Sequence, residues 1–163
     1  MDGETLRLPN AAPHANLIDG CGEGITKTET VISDIYDAWR SQDLDRLATY
    51  LPNDFTHVVY IPTAIHPLGG LCSGKKAALA RLGLIAAEFD FLVFDTRELI
   101  VQKSRASVEI PIRYRHRQTG VELETIIANF WTFEEGWPVK LSEYHDIARI
   151  QAFAANVASL TAE

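Results

Sequence analysis

The chain has 163 residues, 47% of them apolar, and a formal net charge of −7. That length and apolar content suit one domain with a real core and are short for two. The acidic balance leaves no basic stripe to neutralise phosphates, which argues against a nucleic-acid surface. No run approaches the ~18 apolar residues of a membrane span, and the first residues have no apolar stretch of the kind a secretory signal needs. The expected setting is cytoplasmic, with no membrane partner. The two cysteines, Cys21 and Cys72, lack CxxC spacing, so neither a disulfide nor a thiolate zinc site is expected.

Residues 1–25 read as a flexible arm, punctuated by Asn10, Pro13, Asn16, Gly20, Gly22 and Gly24 with no sustained period. The domain is expected over residues 26–160. Thr26 and Glu29 have capping-box spacing. Val31, Ile32, Ile35, Tyr36 and Trp39 then recur at three- and four-residue steps, the pattern of an amphipathic helix. Asp43 can cap a second short helix that buries Leu44, Leu47 and Leu51, and Pro52-Asn53 ends it. Residues 55–61 read as a strand with Phe55, His57, Val59 and Ile61 on one face. Residues 62–73, with Pro67, Gly69 and Gly70, read as a loop.

Ser73 is the expected cap of a third helix, with Ala77, Leu79, Leu82, Ile85, Ala86 and Phe89 turned towards a sheet. Residues 91–102 and 106–117 are long strand candidates, and Gln118-Thr119-Gly120 turns the chain into two more. After Asp146, itself a suitable N-cap, a closing helix follows. Helices come early and antiparallel strands late, an α+β pattern rather than alternating βαβ. A long antiparallel sheet of this kind curls around its helices and can leave a cone-shaped hole.

The last two strands carry the candidate chemistry. They are joined by a Glu134-Glu135-Gly136 turn, and on a period-two reading one face presents Thr125, Ile127, Asn129 and Trp131, then Val139, Leu141, Glu143 and His145. A polar group on a core-facing position costs about 1–3 kcal/mol if it is not hydrogen-bonded. An amide, a carboxylate and an imidazole together therefore suggest a lined cavity. His145 beside Glu143 is a plausible general acid/base pair, or else a structural pair at the sheet rim. Asp146 is a helix cap, a catalyst, or both. His57 is expected inward, as a satisfied core residue or as part of a relay. Asn129 can donate to a substrate carbonyl or enolate oxygen. Tyr36 and Trp39 lie on the covering helix. Tyr114 and His116 fall on the inward face of their strand, and Glu109, Arg113 and Arg115 on the outward face. His57, Glu143 and His145 lack local metal-ligand spacing, so no metal is expected. No GxGxxG or GxxxxGK[ST] occurs, so no nucleotide cofactor is indicated.

Tyr36-Asp37-Ala38-Trp39-Arg40-Ser41-Gln42-Asp43-Leu44-Asp45-Arg46-Leu47, running on into Leu51-Pro52-Asn53-Asp54-Phe55, resembles the first-helix region of SnoaL-like proteins. So do Gly74-Lys75-Lys76-Ala77, Thr119-Gly120, Phe133-Glu134-Glu135-Gly136 and Glu143-Tyr144-His145-Asp146, in the same order. Over residues 28–150 the chain is similar to the SnoaL-like polyketide cyclase and ketosteroid isomerase group of the nuclear transport factor 2-like superfamily. That resemblance implies a cone-shaped fold whose outer sheet face meets a second subunit. It implies a small-molecule site but no single activity, since the fold hosts many. The general-base Asp of bacterial ketosteroid isomerases falls on Val59, and their oxyanion Tyr on Ile35, one position from Tyr36. Their hydrogen-bonding Asp falls on Asn129. The Tyr-Asp pair of scytalone dehydratase falls on Trp39-Arg40. The Arg-x-Asp of the fold's epoxide hydrolases reads Arg113-Tyr114-Arg115. The late-strand acid/base Asp of SnoaL-like cyclases falls on Asp146, or on His145 if the alignment slips by one.

The expectation is an enzyme of isomerase, cyclase or dehydratase type, without a cofactor, acting on a cyclic or polyketide-like carbonyl compound. His145 or Asp146 would be the base, assisted by Glu143. Asn129 and Tyr36 would hold the oxyanion, and Trp39, His57, Val59, Tyr114 and Trp131 would line the pocket. The partner would be a small hydrophobic molecule. A homodimer is expected through the outward face carrying Ile126, Ala128 and Phe130. The alternative is a non-catalytic ligand-binding or interaction module of the same fold.

Overall fold

The computed structural model describes residues 26–161. The expected arm, with Cys21, lies outside the described residues. Helix α1 spans Lys27–Arg40 and starts on a complete capping box: Thr26 Oγ1 accepts from Glu29 N, while the Glu29 carboxylate accepts from Thr26 N. Its apolar stripe buries Val31, Ile32, Ile35 and Tyr36. Helix α2, Leu44–Tyr50, is capped by Asp43, whose carboxylate accepts from Arg46 N at 2.9 Å.

Strand β1, Thr56–Val59, carries the expected inward face, with Phe55, His57, Val59 and Ile61 all buried. The expected 62–73 loop is shorter than that, because its end forms strand β2, Gly70–Ser73, antiparallel to β1. Ser73 is therefore paired with Thr56 and does not cap the next helix. Helix α3, Lys75–Glu88, starts on Gly74 at φ 90°, with no side-chain cap. Its first amide is satisfied instead by the chain before β1: Lys75 N donates to Asn53 O at 3.0 Å. Its buried side is centred on Ala78 and Arg81, with Leu79, Leu82 and Ile85 half-buried beside them. A charged residue at the centre of that face is invisible to an apolar period.

The expected 91–102 strand is interrupted. Strands β3, Phe89–Phe94, and β4, Arg97–Gln102, lie end to end along β5, Arg105–His116. The break falls opposite Pro111, whose carbonyl accepts from Asp95 N at 3.2 Å but which has no N–H to return the bond. Strands β6, Glu122–Glu134, and β7, Trp137–Tyr144, complete the sheet, in the order β2-β1-β7-β6-β5-β3. All pairs are antiparallel except β1 with β7, which run parallel. Helix α4, Ile147–Thr161, closes the domain.

The inward face of β6 is as expected, with Thr125, Ile127, Asn129 and Trp131 buried. On β7 it is partly shifted. Thr132 pairs with Lys140 but Phe133 with Pro138, so Val139 is the extra residue of a bulge. Pro138, rather than Val139, is then fully buried, and alternation resumes in phase at Leu141 and Glu143. The helices cover the concave face: Asn129 Nδ2 and Trp131 Nε1 both donate to the Tyr36 hydroxyl of α1, at 2.9 and 2.8 Å. No helix among the described residues is long and apolar enough to cross a membrane.

Candidate active site

Between the helices and the sheet is a cavity of about 130 Å³. Its walls are apolar, aliphatic for the most part with aromatic faces from Trp39, Phe55, Phe94, Tyr114 and Trp131. Polar atoms reach it from β1, β6, β7, α1 and the 62–69 loop. Tyr114 stacks flat on Phe91 at 4.2 Å between centroids, and Trp39 meets Phe91 edge-on at 5.1 Å. Burial pushes the Tyr114 and Tyr36 phenols above their ordinary range, so both act as neutral hydroxyls.

Period two on β7 puts Glu143 and His145 on one side of the strand, and they meet there. His145 Nε2 lies 2.7 Å from Glu143 Oε1. Parallel pairing of β1 with β7 sets Val59 opposite Glu143 and brings His57 to the other carboxylate oxygen, Nε2 to Oε2 at 3.7 Å. That is an ion-pair separation, too long for a hydrogen bond. Burial works to raise the Glu143 carboxyl, but the hydrogen bond from His145 and the nearby His57 ring outweigh it and hold it well below the usual carboxylate range. Glu143 is therefore an anion and only an acceptor, which places the shared proton on His145 Nε2. In neutral His145 the lone pair is then on Nδ1, and that atom is buried with no protein partner.

Three further buried polar atoms are unpartnered: both ring nitrogens of His57, on a side chain 2% exposed, and Asn129 Oδ1. Native proteins rarely leave such atoms empty-handed, so each calls for a ligand, water or ion. The Tyr36 hydroxyl accepts twice and keeps its own proton to give. If the Asn129 amide is rotated to accept that proton, its NH₂ is released instead. In either orientation one donor of the Tyr36–Asn129 pair is uncommitted.

Asp146 does not belong to this group. It is exposed, outside the cavity, where Oδ1 accepts from Arg149 N at 3.1 Å and Oδ2 pairs with Arg149 Nε at 3.5 Å. Chain direction is the reason: residue 146 leaves the strand to cap α4. The structure thus places Asp146 at the start of α4, apart from the residues that line the cavity. Val59, Tyr114, Trp131, Tyr36 and Trp39 all line the cavity. His116 is held elsewhere, by the Thr119 hydroxyl at 2.8 Å and Glu88 at 3.4 Å. Two residues escaped the sequence reading. His66 lines the cavity from the 62–69 loop, and Arg81 donates to the carbonyls of Gly69 and Gly70, at 3.2 and 3.0 Å, behind it. The only sequence signal for His66 was a titratable residue beside Pro67. Among the described residues no group of three or more His, Cys, Asp or Glu side chains is placed to hold a metal ion.

The SnoaL-like domain model matches residues 32–144, from α1 through β7. The chain belongs to the SnoaL-like domain family. Solved structures agree on the fold. A Rhodopseudomonas palustris protein provisionally named an isomerase superposes with a TM-score of 0.70 at 18% identity, covering 80% of this chain and 97% of its own. A Xanthomonas campestris protein provisionally named a polyketide cyclase gives 0.64 at 15%, covering 78% and 96%. An LEH-like epoxide hydrolase of Mycobacterium tuberculosis gives 0.65 at 11%, covering 85% and 98%. At such identities the likeness shows the nuclear transport factor 2-like fold alone. No curated protein matches the chain.

Proposed function

We propose that this SnoaL-like protein is an enzyme that moves protons on a cyclic carbonyl compound, in a reaction of isomerase, cyclase or dehydratase type. One observation carries the reading: His145 Nδ1 is a buried, uncommitted base whose other nitrogen is oriented by an anionic Glu143. In this scheme Nδ1 takes a proton from the carbon next to the carbonyl. Glu143 stabilises the imidazolium that forms. The free donor of the Tyr36–Asn129 pair stabilises the enolate oxygen, where a preorganised donor in a low-dielectric pocket acts most strongly. The apolar walls hold the rest of the molecule.

The test works before the natural substrate is identified. Single-ring ketones are incubated with the protein in D₂O, and exchange of the α-protons is followed by NMR. Exchange that is faster with wild type than with His145→Ala supports the reading. Ketone that binds without any accelerated exchange would instead indicate ligand carriage without turnover.

The convex sheet face fits a second copy of the chain. Ile126 and Phe130 are 53% and 51% exposed, a patch usually covered in a stable protein. Beside it a groove brings together Arg97, Arg113 and Arg149 with Glu124 and Asp146. Charges of both signs on one patch allow it to pair with itself about a two-fold axis.

A further inference from the structure

The chain from Pro62 to Gly70 is a built feature. Ile65 N and His66 N both donate to Pro62 O, and Gly69 N donates to His66 O at 3.0 Å. A Cβ on Gly69 would sit 2.0 Å from Ile61 O, so only glycine permits this close return of the backbone. From behind, the buried Arg81 guanidinium grips the carbonyls of Gly69 and Gly70. Arg81 has no carboxylate partner among its hydrogen bonds, so its buried charge is committed to holding this backbone.

His66 stands on that platform and lines the cavity. Its Nδ1 accepts from Leu68 N at 3.2 Å. An accepting nitrogen carries no proton, so the ring is neutral and its N–H is Nε2. No protein hydrogen bond engages that Nε2–H. Burial, opposed by Glu88, lowers the His66 pKa and favours the same neutral state. A neutral imidazole cannot serve as a strong acid, since losing its N–H would leave an imidazolate. It is a competent hydrogen-bond donor to an enolate oxygen.

We infer that His66 is a further donor of the cavity, presenting Nε2–H to a substrate oxygen other than the one held by the Tyr36–Asn129 pair. The inference rests on the carbonyl reading above and adds to it. A single-ring probe suits the cavity in size, since about 130 Å³ is close to the ~150 Å³ apolar cavity that accepts benzene.

The probe is cyclohexane-1,3-dione, one ring whose enolate carries an oxygen at either end of its conjugated system. Its binding is measured calorimetrically on the full chain, alongside ¹⁵N NMR of the histidine rings. The expected result is a His66 Nε2–H tautomer whose resonance moves on binding. His66→Leu should weaken binding roughly ten- to a hundred-fold, the scale of one charge-assisted hydrogen bond. His66→Gln, which keeps an N–H donor, should recover most of the loss. Binding weakened by Tyr36→Phe but not by His66→Leu overturns the inference and leaves the carbonyl reading standing. Binding weakened by His66→Leu but not by Tyr36→Phe supports the His66 donor and removes the proposed oxyanion site. No binding to wild type overturns the inference. If His66→Leu does not fold, the NMR decides: an Nδ1–H tautomer, or a His66 resonance that the dione leaves unmoved, overturns it.

Discussion

Asn129 and Phe130 are neighbours on β6 with opposite surroundings. Asn129 is 4% exposed under α1, on a face where polar atoms lack partners. Phe130 is 51% exposed on the other face, edge-on to Tyr144 at 5.7 Å. Tyr144 in turn stacks on Tyr60 at 4.3 Å. The two faces are incomplete in complementary ways. The concave face has covered its apolar atoms and left hydrogen bonds unmade, which suits a small molecule with oxygens. The convex face has made its hydrogen bonds and left apolar atoms uncovered, which suits another protein surface. One strand thus carries two unfilled requirements, and each can be tested without disturbing the other.

The largest expected effect is on the concave side. His145→Ala should slow α-proton exchange by about 10²–10⁴-fold, the usual contribution of a positioned acid/base. An unchanged exchange rate would make the ring structural and erase the functional contrast between the faces. Next comes the support of the site. Arg81→Ala removes the side-chain donors of the Gly69 and Gly70 carbonyls and should destabilise the fold by about 2–4 kcal/mol. Urea denaturation measures this, and a loss within error would mean that the loop holds itself.

On the convex side, Phe130→Asp should convert a dimer to monomer in sedimentation velocity while leaving exchange per chain unchanged. A wild-type chain that sediments as a monomer at micromolar concentration would remove the second requirement altogether.

Smaller effects follow from the titrating groups. The folded-state pKa of Glu143 lies below its ordinary value of 4.5. The stability contributed by its anionic form is therefore fully present above that pH and declines as pH falls towards the folded value. Glu143→Gln should flatten that part of the acid limb of stability against pH. An acid limb identical to wild type would show that the carboxylate is not held as described. The smallest effect is expected at Asp146. Asp146→Ala should cost about 1 kcal/mol through loss of the α4 cap, and exchange should continue at the wild-type rate. A large loss of activity would return Asp146 to the catalytic group.

Local patterns decided much of this molecule before any folding. The capping box at Thr26, the Asp43 cap, the helical stripe through Tyr36 and the alternation through Asn129 and Trp131 are set by neighbours within a few residues. They appear in the structure as they read in the sequence. The pairing of Glu143 with His145 was legible for the same reason, because i and i+2 share a strand face. Long-range events were not legible. The parallel alignment of β1 with β7 brings His57 to Glu143 from a distant part of the chain, and no local period encodes it. The Val139 bulge and the interruption opposite Pro111 depend on which strand lies alongside. Arg81 is buried because carbonyls from another loop await it, and His66 belongs to the cavity because that loop is held there. Asp146 leaves the site because the backbone turns into a helix one residue after His145. Local chemistry determined which side chains each element could offer, and tertiary packing alone decided which of them meet.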